Sequence, residues 1–92
     1  MAGYYVVTLN CGTRAVPDEA IKTALGGQDD WLRFANGVYY VYSRWSDAAG
    51  IYKSIKPLLH QDDFVLVSRT EAGDLYGWGS QIVVDWFAKT RV

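Results

Sequence analysis

The sequence predicts a single α+β domain. A β-α-β-β-α-β chain would form a four-stranded antiparallel sheet with two helices on one face, followed by a C-terminal extension. Three observations carry this. The runs "YYVVTLN" and "FVLVSR", rich in β-branched and aromatic residues, lie far apart in the chain. The dipeptide Asn36-Gly37 sits between two further β-rich runs, which is the strongest short-range hairpin signal. Apolar residues at helical spacing fill the two remaining intervals.

The chain has 92 residues, enough for one domain over residues 1–92 and for one core. Half of the residues are hydrophobic and 21% are charged, so an ordered globular domain is expected. The net charge of −1 is not the footprint of a protein that holds nucleic acid by counterion release. One cysteine, Cys11, excludes an internal disulfide framework and makes a reducing cytoplasm the expected location. No basic-then-apolar leader opens the sequence, and no apolar run has the ~20 residues of a membrane span, so no membrane partner is expected.

Tyr4 to Asn10 reads as the first strand, buried on both faces. After "CGTRA", Pro17 suits the first position of a helix, with Asp18 and Glu19 placed to favour its dipole. Ala20, Ile21, Ala24 and Leu25 give helical spacing, and Gly26-Gly27 ends the helix.

The hairpin "WLRFANGVYYVYSR" follows. A type I′ turn at Asn36-Gly37 needs positive φ at both residues and would pair Phe34 with Tyr39, Arg33 with Tyr40 and Trp31 with Tyr42. Alternation then places Leu32, Phe34, Tyr39 and Val41 on the core face. Trp31, Arg33, Ala35, Val38, Tyr40 and Tyr42 fall on the opposite, aromatic face.

Ser46 is placed to cap a second helix, with Asp47 in its first turn and Ala48, Ile51, Tyr52, Ile55, Leu58 and Leu59 as its apolar stripe. Pro57 should distort or end the last turn. "HQDD" reads as a turn and Phe64 to Arg69 as the fourth strand. Beyond a loop with Gly73, Gly77 and Gly79, "QIVVDWF" fits a helix capped by Ser80 or a fifth strand, and the helix is preferred. Right-handed crossovers convert this order into the ferredoxin-like arrangement, whose second sheet face has no helix to cover it.

With the elements placed, the chain resembles the small ferredoxin-like family that includes the CRISPR adaptation protein partnering the spacer integrase. It is most similar to the SinR-like branch of that Cas-two/SinR-like superfamily. The resemblance spans nearly the whole chain. It rests on "YYVVTLN", "GVYYVYS" and "IYKSIKPLLHQDDFVLVSR" followed by "GWGSQIVVDWF", with Asp62-Asp63 in the acidic turn and Trp78 and Trp86 in the last segment. It implies a homodimer and, in some members, a metal-dependent nuclease or toxin-like ribonuclease. That activity depends on an aspartate from each subunit at the end of the first strand, holding a divalent cation. This chain has Asn10 there, a neutral oxygen without charge.

The expected function is therefore a homodimeric, catalytically degenerate assembly or nucleic-acid-associated scaffold, without a cofactor or bound metal. One alternative is a small ribonuclease using Asn10, Arg14 and an acidic residue, which alone would call for a divalent cation. Another is an inhibitor or antitoxin that binds a partner protein.

Cys11 reads as an inert thiol, because no pattern brings the single histidine, His60, to it. His60, Asp62 and Asp63 have the chemistry of metal ligands and equally the composition of an ordinary turn, and the turn is favoured. The aromatic face of Trp31, Arg33, Val38, Tyr40 and Tyr42 suits a base-stacking platform or a dimer interface. The near-neutral charge favours the interface. Trp78 and Trp86 are expected to pack the C-terminal segment onto the sheet edge or onto a second subunit.

Overall fold

The computed structural model describes residues 2–71 and 81–89. In chain order these form β1 (Gly3–Asn10), α1 (Asp18–Leu25), β2 (Asp30–Ala35), β3 (Val38–Ser43) and α2 (Ala48–Ile55). A 3₁₀ turn (Lys56–Leu58), β4 (Phe64–Thr70) and α3 (Gln81–Ala88) follow. The four strands make one antiparallel sheet in the order β2-β3-β1-β4. The α+β class and the four-stranded antiparallel sheet are as expected, and "QIVVDWF" forms the preferred helix, α3, a third beside the two expected on the sheet. Ser80 and Trp78 lie outside the described residues.

The core forms where helix α1, helix α2 and the sheet meet. Along β1, Tyr5, Val7 and Leu9 are buried while Tyr4, Val6 and Thr8 on the other face are half-buried. Ile21 and Leu25 of α1, Ile51 and Ile55 of α2, and Tyr39 and Val41 of β3 complete the cluster. Each buried aliphatic side chain of this kind contributes about 1.5–3 kcal/mol.

Local capping differs from expectation at two helix starts. Pro17 stands one position before the first residue of α1. The cap of α2 is Asp47, not Ser46: its carboxylate accepts the Gly50 N–H at 2.8 Å. Ser46 is instead tied by its own N–H to the buried Ser43 hydroxyl at 2.9 Å. Pro57 ends α2 as expected, and the chain tightens there into the 3₁₀ turn.

The hairpin corrects the facing of β2. Of the two turn residues only Gly37 has positive φ, at +78°, and among the described residues no residue other than glycine does, so the turn is not type I′. A turn of unprimed sense does not match the right-handed twist of its strands. A register shift between Arg33 and Ala35, at Phe34, absorbs the mismatch.

Upstream of that bulge the pairs become Arg33 with Tyr39, Leu32 with Tyr40, Trp31 with Val41 and Asp30 with Tyr42. The parity of the strand is thereby inverted. Trp31 and Arg33, expected on the open aromatic face, lie on the helix side. Trp31 packs against the core, and Arg33 Nε lies 3.2 Å from Asp18 Oδ1 of α1. Leu32 and Phe34, expected in the core, lie on the open face, where the Phe34 ring meets Tyr40 at 5.5 Å.

Gly37 has a second constraint. The Leu9 N–H donates to its carbonyl at 2.7 Å, and a Cβ at Gly37 would lie 2.5 Å from the Leu9 oxygen. The turn is thus seated directly on the end of β1. Among the described residues no helix is long and apolar enough to cross a membrane.

Candidate functional site

Apart from Trp31 and Arg33, which lie on the helix side, the described residues that the sequence singles out fall in two regions: the second face of the sheet and the loop end of β1. The sheet face is covered in part from within the chain. Val83, Trp86 and Phe87 recur at i, i+3 and i+4 on α3 and turn towards the sheet.

Trp86 is 5% exposed and meets the Tyr4 ring edge-on at 5.8 Å. Phe87 meets Tyr40 edge-on at 4.9 Å, and Tyr4 packs on Tyr42 at 5.1 Å. These separations fall in the range where ring quadrupoles add to area burial. Lys89 Nζ reaches Asp30 Oδ2 at 3.2 Å and fixes the end of the helix to β2. Trp86 is therefore a packing residue of the sheet face itself, and Tyr40 and Tyr42 belong to the same aromatic cluster.

The other half of this face is not covered by α3. The pairing puts Val38, Thr8 and Leu66 side by side across β3, β1 and β4. Phe34 and Phe64 flank them. Phe34 is 45% exposed, Phe64 53% and Leu66 54%. Of the candidate face residues, Val38 alone belongs to this half; Phe34, Phe64 and Leu66 are its larger members.

At the loop end of β1 the two candidate catalytic residues have separate duties. The Asn10 side-chain oxygen accepts the Gly12 N–H at 2.8 Å and closes the turn. Arg14 donates to the Asp63 carboxylate and lies 3.6 Å from the Cys11 sulfur. Asp63 also accepts the His60 N–H at 2.7 Å. That backbone bond, and after it the Arg14 guanidinium, hold the Asp63 carboxyl below the usual carboxylate range against the opposing effect of burial.

Cys11 is buried. Its thiol is raised by desolvation first and by the Asp63 charge second, which disfavours the reactive thiolate. Among the described residues, no group of three or more His, Cys, Asp or Glu gathers as a metal site.

A third cluster was not visible in the sequence. Tyr39 donates its hydroxyl to Asp18, which Arg33 also pairs. The Tyr39 bond, followed by Arg33, lowers the Asp18 carboxyl. Burial, followed by Asp18, pushes the Tyr39 phenol well above its ordinary value. Its placement ties β3 to the start of α1, a structural role.

Trp45 lies outside these clusters. It is 80% exposed in the β3–α2 loop, with the Arg44 guanidinium 5.8 Å from its ring centroid and Arg44 Nε 3.1 Å from Asp29. A solitary aromatic within "SRWSD" was the available signal. Compared with family models, curated proteins and solved structures, the chain has no significant match to any of them.

Proposed function

We propose that the chain is a homodimeric, catalytically degenerate scaffold of the ferredoxin-like, Cas-two/SinR-like type. Its copies associate face to face through the half of the sheet that α3 leaves uncovered. The observation that carries this reading is the exposure of Phe34, Phe64 and Leu66 on one side of the sheet.

An apolar patch of this kind is characteristic of an interaction surface. Its members Phe34, Val38, Thr8, Leu66, Phe64 and Asn10 carry no charge, so a two-fold copy meets no like-charge repulsion. A backbone-binding nucleic-acid surface would need cations among these residues. The base-stacking alternative is further weakened because Tyr40 and Tyr42 are engaged with α3 and Tyr4.

The degenerate character rests on the strand-end geometry. Asn10 uses its side-chain oxygen within its own turn, and Arg14 is held by Asp63. Light scattering over a concentration series, together with labelled RNA incubated with Mg²⁺ or Mn²⁺, tests both halves. The expected result is a dimer that leaves the RNA intact. Cleavage abolished by Asn10→Ala would establish the ribonuclease instead.

A further inference from the structure

We propose that a cleft between α2 and the start of β4 binds a phosphate-bearing nucleotide. It lies within one protomer, so it does not depend on the dimer. The cleft has a volume of about 830 Å³, within the range of small-molecule sites. Its origin is the early end of α2. Pro57 turns the chain into the 3₁₀ segment, Leu58 anchors that segment on the core, and the return through His60–Asp63 into β4 forms the opposite wall.

The charge in this cleft is unbalanced. Lys53 and Lys56 line it from one side and His60 from the other. The helix "AAGIYKSI" contains no acid to neutralise the lysines, and neither lysine is in an ion pair among the described residues. The one carboxylate in the lining, Asp63, is already committed to Arg14 and the His60 N–H. Two ammonium groups with an adjacent imidazole suit a phosphate, which needs several charged donors.

The same cleft offers a ring. Tyr52 stands one helical turn from Lys56 and is 37% exposed. An accessible ring beside cations favours a ligand that combines an aromatic base with a phosphate over a simple anion. Free nucleotides and the 5′ end of a single strand share this chemistry.

The test is a titration of the full chain with adenosine monophosphate, a 5′-phosphorylated single-stranded oligonucleotide, its 5′-hydroxyl counterpart and inorganic phosphate, followed by amide chemical shifts. The expected result is saturable binding that perturbs residues 52–64. It should weaken about tenfold in the Lys53→Gln/Lys56→Gln variant, whose exposed positions leave the fold intact.

Binding of the monophosphate alone identifies a free nucleotide, and binding of only the 5′-phosphorylated strand identifies a strand end. Three results would overturn the proposal: no saturable binding by either, equal affinity for the 5′-hydroxyl strand, or shifts that map outside the cleft.

Discussion

The Phe87 ring of α3 stands edge-on to Tyr40 of β3 with 4.9 Å between centroids. This contact divides the second face of the sheet into two unequal environments. Around Tyr40 the face belongs to the interior of the protomer, with Trp86 buried beside it. Beyond it, towards Val38 and Leu66, the face is open. The first half stabilises the protomer, and the proposed assembly uses the second.

Trp86→Ala should remove the centre of the α3 contact and destabilise the protein by about 3–5 kcal/mol, the range for a buried large aromatic. Removing residues 80–92 should act in the same direction. Denaturant unfolding measures the loss. An unchanged midpoint for Trp86→Ala would mean that α3 does not hold the sheet face.

Gly37→Ala should cost about 1–3 kcal/mol, because positive φ strains any other residue. The Leu9 oxygen, 2.5 Å from the new Cβ, leaves no room for relaxation without moving β1. Asn36→Ala should stay within about 0.5 kcal/mol, since Asn36 does not adopt positive φ. Thermal melts of the two variants distinguish this turn from type I′, for which Asn36→Ala would also be costly.

Stability should fall towards both acid and alkaline pH. Asp18, Asp29 and Asp63 have folded values below their unfolded ones. Their contribution is complete above the ordinary aspartate value of about 3.9 and is lost as pH falls through the folded values. Tyr39 is raised, so its contribution is complete below the ordinary phenol value of about 10 and declines as pH rises above it. Unfolding midpoints across pH should show both limbs. Asp63→Asn should flatten the acid limb and Tyr39→Phe the alkaline one; unchanged limbs in both variants would contradict these assignments.

Much of this fold is legible in the sequence because it depends on local signals. The β-branched run of β1, the apolar spacing of α1 and α2 and the Asn36-Gly37 turn each lie within a short window. The facing of β2 is not legible, because one bulged residue, Phe34, inverts the parity of every residue before it. That displaces Trp31 and Arg33 to the helix side while leaving Tyr40 and Tyr42 where alternation puts them. The position of α3 is also illegible: periodicity indicates its inward stripe but not the surface that receives it. Asn10 and Arg14 lie at and just beyond the end of β1, as the sequence indicates, yet their partners, Gly12 and Asp63, emerge only from the folded chain.

The proposed dimer joins two copies through the uncovered half of the sheet, and Leu66 is the most exposed of its large apolar members. Sedimentation equilibrium of the wild type and of Leu66→Asp tests it most directly. An aspartate there would place an unpaired charge in the buried seam while leaving the exposed side of the monomer tolerant of it. The predicted result is a wild-type mass of twice 10.3 kDa at micromolar concentration and a folded monomer for Leu66→Asp. A wild-type mass of 10.3 kDa, or a dimer that survives Leu66→Asp, would contradict it.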